Sequence, residues 1–288
     1  MIIGRKKKRV ALVLSSGGAR GYAHIGAIEE LLEQGYEITS VAGCSMGSMI
    51  GGIYAAGKLR EATGYIRGLG TKQLFSLLDF SLGLTHVVKG EKVLKAIEEI
   101  VPDVDIENLS IPFTAVATDV NNYEEVVFDR GSLFQAIRSS ISVPSVFKPV
   151  EIGGRMLVDG AIVNPLPLNR VRREKGDLLV AVNVSAPSER EADLLREHAE
   201  RLRRSDSSLF HRPFFLEQSS VSTSVSILLR CVNMMIARNT ELTLRLCPPD
   251  VLVNIPMNRL GELDYDKADS IIAYGRSKMR DALQSIKN

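Results

Sequence analysis

The 288-residue chain has no tryptophan and only three cysteines, Cys44, Cys231 and Cys247. Three scattered thiols cannot build a disulfide framework, and none has a partner at zinc-binding spacing, so neither a stapled nor a zinc-held fold is expected. A reducing compartment fits such usage. Charge of one sign is also lacking: 36 basic residues against 34 acidic leave a net +2, which excludes the one-signed field of a dedicated nucleic-acid binder. No apolar run approaches the roughly 20 residues of a membrane span. The nearest, Val225 to Ala237, is interrupted by Arg230 and Asn233. It is expected to be a buried helix, the other reading being a helix on a membrane surface or along a substrate groove. No apolar leader follows the basic N-terminus, so the expectation is a cytoplasmic protein whose membrane contact, if any, is peripheral and on the inner face.

What is present suffices for a sizeable core: 45% of residues are hydrophobic and 24% charged. The cluster Arg5-Lys6-Lys7-Lys8-Arg9 reads as a solvated tail capping a strand. The rival reading is attraction to anionic lipid at about 1 kcal/mol per basic residue. Arg9 to Leu14 is short, branched-rich and bounded by Ser15-Ser16-Gly17-Gly18, the signature of a buried strand. A helix follows over Ala19 to Gln34, with Gly35 placed for a left-handed C-cap. Strands are predicted at Ile38–Ala42, Pro112–Thr118, Glu125–Phe128, Arg155–Val158, Leu178–Val184 and Val251–Ile255. Helices are predicted at Ser45–Ala56, Leu59–Leu69, Lys92–Val101, Ser132–Ser140 and Asp264–Leu283. Strands alternating with helices imply an α/β fold of three layers, α/β/α, around a mainly parallel sheet.

Gly43-Cys44-Ser45-Met46-Gly47 falls between a predicted strand and a predicted helix, the context in which Gly-x-Ser-x-Gly makes a nucleophile elbow. The glycines let the chain turn sharply, and the strained turn pushes the Ser45 hydroxyl outward beside a helix N-terminus. The plain alternative is a glycine-rich turn that admits close helix packing. Ser16-Gly17-Gly18-Ala19-Arg20-Gly21 stands in the same strand-to-helix setting, and its amides could hold an oxyanion or a phosphate. A phosphate-binding protein fares worse, because no GxxxxGK[ST] run or full dinucleotide fingerprint is present. A nucleophilic serine needs a base. Of the four histidines, His24 lies inside the first helix and His86 in a loop, while His198 and His211 lie in segments that suit a triad poorly. Asp159, at a strand end before Gly160 and Ala161, is the alternative, with Asp119 its rival. An aspartate near 3.9 is less basic than histidine by about 3.5 kcal/mol, which burial or the oxyanion hole must make good.

Taken together, these motifs resemble the patatin-like phospholipase family. Ser16 to Gly21 is similar to its glycine-rich anion-hole motif, Gly43 to Gly47 to its serine elbow, and Asp159-Gly160-Ala161 to its aspartate motif, in the same order. The likeness spans Val10 to Val184, taking in the Ala117-Thr118-Asp119 strand end and the stretch Ser139 to Pro144. It returns faintly at Ala273-Tyr274-Gly275-Arg276. The resemblance implies a Ser45–Asp159 dyad without histidine, acting on acyl esters of lipids, with the amides of Gly17, Gly18 and Ala19 as the anion hole and Arg20 at the family's basic position. It implies no metal and no cofactor, a lipid or acyl-ester substrate, and no nucleic acid, and it leaves the oligomeric state open. One departure stands out: members commonly begin the first motif with glycine, so Ser16 would be strained if its φ were positive. On this reading residues 1–9 are a basic tail and 10–184 the patatin-like catalytic domain. Residues 185–226 are an insertion, cap or linker, and 227–288 a C-terminal extension packed on the domain. The alternative function is a catalytically silent membrane-associated or regulatory binding protein on the same fold.

Overall fold

The computed structural model describes residues 8–68, 104–144, 146–187, 224–257 and 264–286, with isolated helical positions at 95, 98 and 99. The helix expected over Lys92–Val101 and most of the expected insertion lie outside these residues.

The strands are β1 (Lys8–Leu14), β2 (Tyr36–Cys44), β3 (Phe113–Asp119), β4 (Glu124–Phe128), β5 (Val150–Ile152), β6 (Arg155–Asp159), β7 (Leu178–Ala186) and β8 (Val251–Pro256). All eight form one sheet. β1 lies at its centre, parallel to β2 and β7. β2 and β3 pair in parallel, as do β7 and β8. β4, β5 and β6 add an antiparallel side built on β3. The mainly parallel expectation holds for the strands that alternate with helices. The antiparallel hairpin of β5 and β6 turns on Gly153 and Gly154, both at positive φ, as a two-residue hairpin demands.

β1 shows why its sequence is apolar throughout. Val10, Leu12 and Leu14 face one layer and Ala11 and Val13 the other, all without solvent exposure. The first layer contains α1 (Tyr22–Glu33), α2 (Met46–Ala55), α4 (Leu133–Ser140) and α6 (Ala268–Ser285), with α3 (Leu59–Gly68) beside α2. Among the described residues, the second contains α5 (Ser224–Leu246) and the stretch Leu166–Leu168, which cover Ala11, Val13, Leu179 and Ala181.

Three expectations shift. The expected first helix divides into a 3-10 turn at Gly18–Gly21 and then α1, because Gly18 takes φ 56°. β7 runs to Ala186, two residues past the expected Val184, so Ser185 belongs to the sheet. The expected buried helix at Val225–Ala237 extends to Leu246, and from Cys231 onward most of its side chains are half-buried or exposed rather than buried. Ile236, Thr240 and Leu244 face the protein, whereas Met234 is 63% and Met235 52% exposed. A helix lying on one face of a sheet buries one stripe.

α6 closes the first layer by lying backbone to backbone on α1. A methyl group on Gly275 would sit 2.2 Å from the Ala23 carbonyl oxygen, and one on Gly26 would sit 1.9 Å from that of Ile272. Glu30 of α1, its side chain without exposure, accepts hydrogen bonds from Arg276 and Arg280 of α6. Those cations hold its carboxyl down at about 2.

Candidate active site

A strand has two edges. β4 occupies one edge of β3 from Ala115 to Asp119, so β2 and β6 must share the other. β2 runs along it as far as Cys44, paired with Val116. β6 runs the opposite way and ends with Asp159 paired to Ala117. The two strands therefore meet head-on, and the residue after Cys44 faces the last residue of β6. The Ser45 hydroxyl donates to Asp159 Oδ2 at 2.5 Å.

Ser45 has φ 52° and ψ −122°, a conformation that costs a side chain about 1–3 kcal/mol and persists only where neighbours impose it. Here they do. A methyl group on Gly43 would lie 2.4 Å from the Gly47 carbonyl oxygen, and one on Gly47 would lie 2.2 Å from that of Leu14. The Ser45 N–H donates to Ser140 Oγ at 2.9 Å, and its carbonyl accepts from the amides of Ser48 and Met49 and from Ser48 Oγ. The elbow is thus pinned on both sides of its strained residue.

Asp159 is 4% exposed. Its Oδ1 accepts from the Ala161 N–H at 2.8 Å, its own N–H donates to the Ser142 carbonyl, and its carbonyl accepts from Thr118 Oγ1. Gly160 is required beside it, since a methyl group there would stand 2.3 Å from the Val116 carbonyl oxygen. Desolvation raises the Asp159 carboxyl from 3.8 to about 6, against the hydrogen bonds from Ser45 and Ala161, which pull it down. Burial therefore makes this carboxylate nearly as basic as a free histidine.

Asp119 is differently placed. It accepts from the amides of Asn121 and Asn122 and from Asn122 Nδ2, and these bonds lower its pKa. It braces the β3–β4 turn. His24 is wholly buried in α1, its Nε2 donating to the Ser15 carbonyl at 2.9 Å, and burial lowers it to about 4. It does not reach Ser45. His86, His198 and His211 lie outside the described residues. Burial pushes the Cys44 thiol well up, and it packs with Val116, Ala161 and Ile236.

The glycine-rich loop runs alongside. Gly21 abuts Met46, the residue after Ser45, and the Ser15 carbonyl lies against Gly47. Among the described residues nothing accepts from the N–H of Gly17 or Gly18. Ser16 has no positive φ, which falls at Gly18 instead, so the departure from glycine carries no strain. The Arg20 guanidinium, expected at a basic position of the anion hole, donates inward to the Gly17 carbonyl and Ser185 Oγ. Sequence reasoning missed Ser140, which lies in the serine-proline stretch already noted, and also Ser15 and Ser185, which carry no motif. Among the described residues no His, Cys, Asp and Glu cluster could hold a metal ion.

An uncharacterized NTE family protein of Mycobacterium tuberculosis is 44% identical over 212 residues, covering 72% of this chain and 59% of that protein. Human patatin-like phospholipase domain-containing protein 6 is 32% identical over 186 residues, 62% of this chain and 14% of its own length. The chain thus spans about three fifths of the mycobacterial relative and a small part of the human one. VipD from Legionella pneumophila matches over 96% of this chain and 72% of its own at 17% identity and a TM-score of 0.43, too distant to bear on activity. The patatin-like phospholipase family model matches residues 12–171, taking in the loop, the elbow and the aspartate. With more than half its length matched in this way, the chain belongs to the patatin-like phospholipase family.

Proposed function

We propose that this protein is a serine lipid acyl hydrolase, a phospholipase or esterase, working through a Ser45–Asp159 dyad. The observation that carries the reading is the 2.5 Å hydrogen bond from Ser45 Oγ to a buried Asp159 whose basicity is raised to about 6. Ser45 Oγ attacks the acyl carbonyl carbon as its proton passes to Asp159 Oδ2. The oxyanion is held by amides of Gly17, Gly18 and Ala19. Asp159 returns the proton to the departing alcohol, leaving an acyl-enzyme. Water then attacks this ester, giving a proton to Asp159, which returns it to Ser45 Oγ as the carboxylic acid leaves. The names of relatives, a patatin-like phospholipase domain protein and the neuropathy target esterase of Drosophila melanogaster, agree with ester hydrolysis. Exposed Met234 and Met235, next to Ile236 at the site, suit the approach of an acyl chain. A silent binding protein on this fold would have no use for a strained serine held against a basic carboxylate.

A fluorophosphonate probe should modify wild-type protein once, on the peptide bearing Ser45, and leave Ser45→Ala unmodified. Labelling elsewhere, or an unreactive folded wild type, sinks the reading.

The pH profile gives an independent check. Asp159 serves as base only when ionised, so kcat/KM on a short nitrophenyl ester should rise with pH, with a midpoint near 6 and a plateau above it. A midpoint near 4 would mean that burial does not tune the base.

A further inference from the structure

Beneath the glycine-rich loop lies a buried set of polar side chains that the chemistry above does not use. Three successive carbonyls of the loop are each held from within. That of Ser15 accepts from His24 Nε2 at 2.9 Å. That of Ser16 accepts from Ser15 Oγ and Ser185 Oγ, both at 2.9 Å, and that of Gly17 accepts from Arg20 Nε at 3.2 Å. The set is cross-linked: Ser15 Oγ accepts from the Val184 N–H, and Ser185 Oγ from Arg20. Ser15, Ser16, Arg20, His24 and Ser185 are each less than 5% exposed.

A trans peptide points its C=O and the following N–H in opposite directions. Fixing the Ser15 carbonyl therefore fixes the N–H of Ser16, which donates to Pro165 O at 2.9 Å. Fixing the carbonyls of Ser16 and Gly17 in turn directs the N–H groups of Gly17 and Gly18 away from the buried set, and these two find no acceptor among the described residues. Gly17 is buried and Gly18 half-buried; amides so placed ordinarily have partners, so two neighbours without one suit an anion that comes and goes. A carbonyl oxygen can only accept, so Nε2 of His24 carries the proton. The ring is neutral above about pH 4, which leaves the Arg20 guanidinium as the charged member of the set.

Resting on the dyad reading above, we propose that His24, Ser15, Ser185 and Arg20 are positioning residues, a buried clamp that aims the N–H groups of Gly17 and Gly18 at the developing oxyanion. None touches substrate. Their contribution is made in the transition state, because the oxyanion exists only there.

Ser185→Ala removes one hydroxyl and tests this. With a short nitrophenyl ester, kcat should fall about 10- to 100-fold with KM within about twofold of wild type, as misplacement of preorganised donors predicts. The pH midpoint near 6 should not move, because the clamp does not contact Asp159. Binding of a trifluoromethyl ketone, which forms a tetrahedral oxyanion adduct on serine, should weaken by the factor lost in kcat/KM. Ser185→Thr, which keeps the hydroxyl, should restore most of the rate. Should Ser185→Ala not fold, Ser15→Ala cuts another donor to the same carbonyl and meets the same criteria. Wild-type kcat, a loss confined to KM, or a Thr variant no better than Ala overturns the clamp. If Ser45→Ala is inactive while Ser185→Ala matches wild type, the clamp alone fails. If Ser45→Ala stays active, the dyad itself is wrong.

Discussion

Asp159→Asn is expected to lower kcat about 10³-fold while making the folded protein more stable. The amide oxygen can still accept the Ala161 N–H while its NH2 donates to the Ser45 oxygen, so the site keeps its shape, but it cannot take a proton, and loss of a general base typically costs 10²- to 10⁴-fold. Stability moves the other way. The native carboxyl sits at about 6 against an ordinary 3.8, so the folded state binds protons more tightly than the unfolded chain. That contribution is fully present below 3.8 and lost as pH rises through 6, which leaves the ionised group about 3 kcal/mol less favourable in the fold at pH 8. Removing the charge should recover part of this. Thermal melts at pH 8 and pH 4 should show Asp159→Asn gaining on wild type at pH 8 and losing the advantage at pH 4. An asparagine variant melting below wild type at pH 8 would contradict the account of burial as the source of basicity.

Gly47→Ala is expected to damage fold and activity together. The added carbon would stand 2.2 Å from the Leu14 carbonyl oxygen and 2.6 Å from that of Ser15, both backbone atoms at the end of the central strand. Neither can move without shifting β1 against β2 and β7. Overpacking against a backbone that cannot yield costs about 3 kcal/mol or more. The measurable result is a Tm lower by 10 °C or more, or insoluble protein, with no residual esterase. Gly64→Ala is the matched control. Gly64 lies inside α3 with nothing within 4 Å of the added carbon, so the change should stabilise by about 0.5–1 kcal/mol. Equal outcomes for the two would show that the close approach at the elbow is not what excludes a side chain.

Legibility in the sequence followed the range of the interaction. The strand–turn–helix settings of Ser16–Gly21 and Gly43–Gly47 were readable because an apolar run, glycines and a helical period adjoin one another within a few residues. The proximity of Ser45 and Asp159 was not, because it arises where β2 and β6 share one edge of β3, a pairing set by the whole sheet. From the residues Asp159 stood only as a candidate base with Asp119 its rival, and the resemblance implied the pair. β5 escaped notice because Val150-Glu151-Ile152 is too short to show alternation. The exposure of α5 ran against expectation because an apolar run does not say how wide a surface awaits it. Ser140 showed only as part of the stretch Ser139 to Pro144, and Ser185 and the role of His24 left no trace, since a single serine or histidine acquires meaning only from the carbonyl or amide it meets.

The place of β1 at the centre of the sheet bears on how the chain is made. Its partner on one side, β2, follows almost at once. On the other side Val10 pairs with Leu178, about 170 residues later. At synthesis rates of about 5–20 residues per second, that edge stays open for roughly 10–30 s after β1 leaves the ribosome. Through that interval Val10-Ala11-Leu12-Val13-Leu14 presents an unpaired, wholly apolar strand edge, the kind of surface on which chains join wrongly. The nascent chain should therefore depend on chaperone cover until β7 emerges. Ser185 arrives with β7, so the oxyanion loop is braced only once that hazard has passed.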